Sequence, residues 1–417
     1  MTSSPATNAT AVPFDPTSAI APDRKRTLII GAGIVGSSLA AILSASPNQQ
    51  VVLVDRSVRG LPGSTGHAPG YVGQYNELPV LTELARRSVT KYRSIKDGFD
   101  VVGGLEVASS PAGLEGLKNR AGKARDAGLQ AEVLSKTALV EKAPIFIKRT
   151  GIEGGLFFAN DGTANAQHIA RYQQDIARSQ RALLLDADVV SIGSNSVRLS
   201  DERELVADKI VLCTGIWTRT LLQQLPILPV AHPYIYTAER AQRPGKTPFV
   251  RYPEHHVYVR DHGVKDGLGS YAHDPIHVAS SALTSSAYGS WESSFESVLS
   301  TALQLLPEET ATEFSVNPNQ VGKERAFNGL FSVTPDGKPL LGRVRGQETV
   351  YVASAIWVTH AAGCAQLLAD VLLDQLKEDD KWMVEELDVN RFDGQEWSQL
   401  EEKALSTYND IYNKGSH

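Results

Sequence analysis

The sequence predicts an α/β protein: a discontinuous, Rossmann-like dinucleotide-binding domain that carries an inserted β-rich (α+β) domain. Three observations predict it. Residues 27–30 form a short β-branched, apolar run leading directly into Gly31-Ala-Gly-Ile-Val-Gly36, a small-residue helical segment to Ala45, and a second apolar run at 51–54 that closes on Asp55. That order is one complete strand–helix–strand unit, and its unbroken apolar strands suit a parallel sheet buried on both faces. The stretch 226–269 is instead rich in Tyr, Val and Pro, which favours strands of a different sheet. Beyond it, Tyr351-Val-Ala353 and a helical pattern from 357 to about 375 return to the first design. Residues 25–100, 160–225 and 326–417 are therefore assigned to the nucleotide-binding domain, and 101–159 with 226–325 to the inserted substrate domain. Residues 1–24, rich in Ser, Thr, Ala and Pro, are expected to form a disordered tail.

Composition sets the outer bounds. With 417 residues, 42% hydrophobic and 21% charged, the chain can fill two cores. A net charge of −6 gives no reason to expect nucleic acid or an anionic membrane as a partner. No apolar run approaches the roughly 20 residues of a membrane-spanning helix. The first 24 residues lack both the Arg spacing of a presequence and the apolar centre of a signal peptide, and the final Lys-Gly-Ser-His is no peroxisomal address, so elimination points to the cytoplasm. Two cysteines, Cys213 and Cys364, argue against a disulfide framework. His255, His256 and His262 have no acid or thiol at ligand spacing, so they read as loop residues and no metal is expected.

The remaining elements follow in order. A loop at 57–73, loaded with Gly, Pro, Ser and Thr, holds His67. A helix is predicted over 78–95, a strand at 103–107, a charged surface helix over 113–128, and a strand at 155–158. Asp161-Gly-Thr-Ala-Asn165 caps a helix to about Ser179. Strands are predicted at 183–192, 197–199 and 209–213, and helical, polar sequence over 280–320.

The glycine motif carries chemistry. Gly31 permits a sharp turn, Gly33 lets the backbone approach a pyrophosphate, and Gly36 lets helix and strand pack closely. The phosphates then sit at the helix start, by Ile34 and Val35, where free amides and the dipole favour anions. Asp55, with Arg56 after it, stands where a carboxylate accepts ribose hydroxyls, and an acid there argues against a 2′-phosphate.

Val189, and Cys213-Thr-Gly215 before Trp217, resemble the adenosine-side elements of the D-amino-acid-oxidase-like flavoprotein superfamily. So do Pro335-Asp-Gly-Lys-Pro-Leu-Leu-Gly342 and Trp357-Val-Thr-His-Ala-Ala-Gly363, which resemble its flavin-ring segment. The resemblance implies FAD as cofactor, with Ile356, Trp357, Val358 and Thr359 beside the ring. Within that superfamily, Gly63-Ser-Thr-Gly-His-Ala-Pro-Gly70, Gly267-Leu-Gly-Ser-Tyr-Ala-His273 and Phe327-Asn-Gly-Leu-Phe-Ser332 resemble the flavin half of dimethylglycine oxidases, dimethylglycine dehydrogenases and sarcosine dehydrogenases. This likeness covers about residues 26–415. It implies that Ser64, Thr65 and Tyr71 contact the flavin and that His67 bonds covalently to its 8α-methyl carbon.

The same resemblance implies an N-demethylating amine oxidase or dehydrogenase acting on a small N-methylated amino acid, of the N,N-dimethylglycine or sarcosine type. Hydride would pass to flavin N5 and the imine would hydrolyse. Such oxidation needs an unprotonated nitrogen, whereas alkylamines have pKa values near 10. His232, in Pro229-Val-Ala-His-Pro233, and Tyr258, in Val257-Tyr-Val-Arg260, match the family's catalytic histidine and tyrosine. His232 would accept the ammonium proton in the ordinary histidine range, and Tyr258 would pin the substrate and border the flavin. Arg260 and His273 are second-rank candidates for a substrate carboxylate. The two-domain relatives continue into a folate-binding half; this sequence stops where the flavin half ends, and if it is the whole chain the expected one-carbon product is formaldehyde. The acceptor stays open between oxygen and an electron-transfer flavoprotein, and the alternatives are an oxidase of another secondary or cyclic amino acid or a non-catalytic flavin subunit.

The nucleotide motif yields a direct expectation. Asp55→Ala removes charge-assisted hydrogen bonds worth about 1.5–3 kcal/mol each. FAD loading should slow or weaken accordingly, measured as flavin-to-protein absorbance ratio during reconstitution; an unchanged rate and yield would remove Asp55 from the ribose site.

Overall fold

The computed structural model describes residues 14–288, 291–314, 321–322 and 324–409. At the centre of the first core is a six-stranded sheet in the order Leu340–Arg343, Val350–Ser354, Lys209–Leu212, Lys25–Ile30, Gln49–Asp55, Leu183–Asp186. All neighbours are parallel except the edge pair Leu340–Arg343 with Val350–Ser354. Its residues alternate between two cores, as pleating requires. Ile29, Leu53 and Val211 face the helices Ile34–Ser44, Pro79–Arg93, Ala166–Ser179 and Ala361–Leu372. Leu28, Ile30, Val52 and Leu212 face the other way, onto a three-stranded antiparallel sheet that supplies Val197, Leu199 and Leu205.

That second layer explains one difference from the sequence reading. The predicted strand 183–192 is two strands. Leu183–Asp186 joins the parallel sheet, and Val189–Ile192 turns off to pair with Ser196–Leu199. The break falls where Asp186 accepts from the Val58 amide and the Ala187 amide donates to the Asp55 carbonyl.

The second core belongs to a ten-stranded sheet. Its path runs Ala287–Tyr288, Ala326–Val333, Leu228–Tyr236, Asp266–Ser270, Val257–Asp261, Phe249–Tyr252, Gly104–Ala108, Gly154–Phe158 and Glu132–Leu134, with Ile276–His277 pairing Leu228–Tyr236 off the path. Ala326–Val333, which the sequence places with the nucleotide-binding segment, lies here, paired along eight positions with Leu228–Tyr236. Its alternating side chains needed a sheet partner, and the long strand provided it. The region expected to be helical over 280–320 contains Phe295–Leu303 and Glu308–Phe314 among the described residues.

The expected disordered tail divides in two: residues 1–13 lie outside the described residues, and 14–24 are docked. The buried Arg26 holds them, its Nη1 donating to the carbonyls of Pro16 (3.0 Å), Ser18 (2.9 Å) and Val206 (3.2 Å) and its Nε to Gln50 (3.1 Å). Its guanidinium lies 5.2 Å from the Phe14 ring centre, and burial lowers its pKa. Three carbonyls on one cation form a clamp that composition does not reveal. No helix among the described residues is long and apolar enough to cross a membrane.

Replacing Arg26 by Met should strand those carbonyls. We expect a loss of about 2–3 kcal/mol in urea unfolding, as for hydrogen bonds to a charged group. Faster exchange should appear at the Val206 amide, which donates to the Pro16 carbonyl at 3.1 Å. Unchanged exchange there would show that Arg26 is not the clamp.

Candidate active site

The C-terminal ends of the parallel strands gather the nucleotide motif at one edge, as open α/β sheets do. Gly31 follows Lys25–Ile30, Asp55 ends Gln49–Asp55, Gly215 follows Lys209–Leu212, and Ile356 follows Val350–Ser354. Gly31 has φ +104°, and a Cβ there would lie 2.5 Å from the Cys213 carbonyl oxygen, so only glycine fits. At Gly33 a Cβ would press on the Thr65 side chain, with Oγ1 at 3.0 Å. Helix Ile34–Ser44 begins here, and because its N-cap Gly33 has no side chain of its own, Thr65 Oγ1 takes the Ile34 amide. Asp55 turns its two oxygens to the Ala32 amide (2.8 Å) and the Ser57 amide (2.9 Å). Arg56 lies over the Trp217 ring and pairs with Asp188 at 3.3 Å, next to Val189. Gly33, Val35, Gly36, Arg56, Val189 and Gly215 thus surround the helix start without lining the central cavity. An adenine dinucleotide fits this cradle, because the backbone can approach closely at the glycines and the helix dipole favours anions at its start.

A cavity of about 570 Å³ runs from that helix start to the large sheet. Ile34, Ser64, Thr65, His67, Tyr71, His232, Tyr258, Ile356, Trp357, Val358 and Thr359, all singled out from sequence, line it. Thr65 Oγ1 accepts from the Ile34 amide at 3.0 Å, and Ser64 Oγ donates to the Leu330 carbonyl at 3.0 Å, which ties the 57–73 loop to both sheets. His67 Nδ1 lies 2.6 Å from Ser286 Oγ and 3.3 Å from the Gly63 carbonyl. Thr359 Oγ1 donates to the Tyr71 carbonyl, and the Trp357 indole to the Ser332 carbonyl, both at 3.2 Å. Ala355, just before this segment, takes φ +56°, a strained conformation for alanine beside a working surface.

His232 and Tyr258 meet directly. His232 Nε2 lies 2.7 Å from the Tyr258 phenol and Nδ1 lies 2.6 Å from the phenol of Tyr408. Tyr258 pairs across the sheet with Gly269, where a Cβ would lie 2.4 Å from the phenol oxygen. The glycine of Gly267-Leu-Gly269 thus makes room for that ring. His232 is buried, and burial drives its pKa well below 6.5, with the neighbouring His273 adding to the effect. The sequence expects titration in the ordinary histidine range; burial instead pushes this side chain below that range, towards the neutral form.

Two further expectations change. Arg260 does not line the cavity and donates instead to the Pro69 carbonyl at its wall, and His273 sits behind Tyr408. His262 lies in the turn after Val257–Asp261, as expected, but is half-buried and bonds the Tyr234 phenol at 2.7 Å.

Around the residues named from sequence, the cavity gathers several that were not named as site residues. Arg251, opposite Tyr258 in the sheet register, forms an ion pair with the buried Glu106, which also holds Arg120 at 3.0 Å. Tyr71 stacks on Phe249 at 4.2 Å and donates to Asp161 at 2.8 Å; burial raises Asp161 to about 6. Tyr271 and Phe331 pack on His232, with ring centres 4.5 and 4.9 Å away. An arginine between Val250 and Tyr252 shows only alternation, and which face is the cavity depends on pairing. Among the described residues, no group of His, Cys, Asp or Glu is placed to hold a metal ion.

Comparison with known proteins agrees with this geometry. The FAD dependent oxidoreductase family matches residues 26–371. The chain is similar to 4-methylaminobutanoate oxidase (formaldehyde-forming) of Paenarthrobacter nicotinovorans, with 25% identity over 407 residues covering 92% of this chain and 47% of that one. It is also similar to the mitochondrial dimethylglycine dehydrogenase of Homo sapiens, with 26% identity covering 93% of this chain and 46% of that one. It spans about half the length of these curated relatives. Among solved structures, L-proline dehydrogenase from P. horikoshii shares the fold with a TM-score of 0.75 at 17% identity, covering 89% of this chain and 98% of that one. With the glycine cradle, its acid and the adjoining cavity in place, the chain belongs to the family of FAD-dependent oxidoreductases related to D-amino-acid oxidase.

Proposed function

We propose that the protein oxidises the C–N bond of a small N-methylated amino acid, of the N,N-dimethylglycine or sarcosine type, to an imine that water hydrolyses to the demethylated amine and formaldehyde. FAD, when bound, supplies the two-electron acceptor. The carrying observation is the register of Arg251 with Tyr258 on neighbouring strands, both lining one cavity. Side chains directly opposite in an antiparallel pair start about 4.5–5.5 Å apart. A nitrogen at Tyr258 and a carboxylate at Arg251 are then a short distance from each other, as in an α-amino acid. Arg is suited to the carboxylate by its planar fork. The aromatic faces of Tyr71, Phe249, Tyr271 and Phe331 line the same space and suit a methylated ammonium. The names of the two curated relatives point to the same chemistry.

In this reading His232, neutral in its buried site, keeps the amine deprotonated through Tyr258. Ile34, Ser64, Thr65, Tyr71 and the 356–359 segment hold the cofactor, and His67 attaches it. The reoxidant is oxygen or an electron-transfer flavoprotein.

Anaerobic mixing with a panel of N-methyl amino acids should bleach the flavin band with sarcosine or N,N-dimethylglycine, and formaldehyde should follow on admitting air. Bleaching by none of them would overturn the substrate class. Acid precipitation should leave the yellow colour in the wild-type pellet and in the supernatant for His67→Ala; colour lost from the wild type would rule out the linkage. His232→Ala should slow flavin reduction about 10²–10⁴-fold with the visible spectrum intact. Arg251→Lys should chiefly raise the substrate concentration needed for half-maximal reduction, since it keeps the charge and loses the fork.

A further inference from the structure

Behind Tyr258 the buried polar groups continue in a row. His232 Nε2 meets Tyr258 at 2.7 Å, His232 Nδ1 meets Tyr408 at 2.6 Å, Tyr408 meets His273 Nε2 at 2.8 Å, and His273 Nδ1 meets the Asp274 carbonyl at 2.9 Å. The four side chains come from four places: the strands Leu228–Tyr236 and Val257–Asp261, the helix Trp397–Asn409, and the loop after Asp266–Ser270. All four are buried.

One end of the row sets the direction of every bond. The Asp274 carbonyl can only accept, so His273 Nδ1 carries the proton and Nε2 is a lone pair. Tyr408 must therefore donate to His273; the Ala231 carbonyl, 3.3 Å from the same phenol, is the longer alternative. With its proton spent, Tyr408 accepts from His232 Nδ1–H. His232 Nε2 is then a lone pair that accepts from Tyr258, whose oxygen meets a cavity ligand as an acceptor. Burial, which lowers the pKa of both histidines, keeps them neutral as this order requires.

We propose that Tyr258, His232, Tyr408 and His273 form a one-way proton wire that takes the ammonium proton of the substrate out of the cavity. The inference rests on the amine-oxidising reading of the site and adds Tyr408 and His273 to it as positioning residues. The substrate N–H⁺ gives its proton to the Tyr258 oxygen, and that phenol's own proton moves to His232 Nε2. The Nδ1 proton of His232 moves to Tyr408, and the Tyr408 proton moves to His273 Nε2. One proton leaves the amine, one arrives at His273, and no electrons move. His273 stands at the cavity-remote end beside Asp274, which is exposed and whose charge favours the imidazolium. From there the proton passes to water.

The groups facing His273 are few. Helix Trp397–Asn409 supplies Tyr408 and Asn409, whose Nδ2 donates to the His273 carbonyl at 2.8 Å. Helix Phe295–Leu303 supplies the edge of Phe295 at 4.6 Å, the long strand supplies His232, and the loop supplies Asp274. Of these, His232, Tyr408 and Asp274 titrate.

Two measurements on the holoprotein test the wire. In wild-type protein labelled with ¹⁵N-histidine, His232 and His273 should both appear as neutral rings protonated on Nδ1, with Tyr408→Phe disturbing the His232 signal. A His232 ring protonated on Nε2 would overturn the polarity without any substrate being needed. In anaerobic reduction by sarcosine or N,N-dimethylglycine, Tyr408→Phe should be slower by about 10²-fold at pH 7, the low end for a positioned acid–base group. The deficit should close as pH rises towards the amine pKa near 10, where the substrate arrives already neutral. His273→Gln, which preserves hydrogen bonding but cannot hold the extra proton, should behave the same way. A deficit that stays constant with pH, or no deficit, would overturn the wire. A wild type that neither substrate reduces would overturn the function instead, and the ring tautomers would still decide the wire's polarity.

Discussion

The contact between Gly31 and the Cys213 carbonyl is the constraint from which the arrangement follows. A Cβ on Gly31 would sit 2.5 Å from that oxygen, so strand end, turn and helix start can share one point only if residue 31 is glycine. With that point set, Lys25–Ile30 lies between Gln49–Asp55 and Lys209–Leu212, and the three strand ends bring Asp55 and Gly215 to the same edge. The helix start, with Thr65 on its Ile34 amide and Asp55 on the Ala32 amide before it, faces the cradle, and its dipole suits a pyrophosphate.

The cavity exists because two sheets of different character meet there. The parallel sheet offers strand ends and a helix start; the large, mostly antiparallel sheet offers a face of aromatic side chains. Segment 57–73 joins them, tied to one by Thr65 and to the other by Ser64. Its histidine is held at the junction by Ser286 and Gly63. A segment held at both ends can present a side chain to a ligand from a single helical turn, here Ser64–His67.

Burial of polar groups governs the far side of the site. Neutral imidazoles and phenols are tolerated in an apolar surround only when each proton and lone pair finds a partner. Tyr258, His232, Tyr408 and His273 satisfy one another in sequence, so the arrangement that stabilises the core also gives the row a direction. Charge is handled separately: Glu106 pairs with both Arg120 and Arg251 beside the cavity, one carboxylate against two guanidinium groups, instead of inside the row.

The sequence by itself determined the nucleotide half. Glycine spacing, an acid ending the second strand and unbroken apolar strands are local signals, because the turn, the helix start and the strand end lie within thirty or so residues of one another. It also marked Ser64, Thr65, His67, His232 and Tyr258 through their resemblance to a family, and these do line one cavity. Only the tertiary structure decided the rest. Arg251 faces the cavity because of its register with Tyr258, whereas Arg260, two residues beyond that tyrosine, is drawn to the Pro69 carbonyl. Tyr408 lies 150 residues from Tyr258, by their numbers, on the last described helix, and no local pattern connects it to His232. Residues 14–24, polar and proline-rich, are ordered by a single buried arginine that gathers their carbonyls. Local geometry is written in neighbouring residues, while the proton path, the carboxylate site and the docked segment depend on pairings that form only when distant strands come into register.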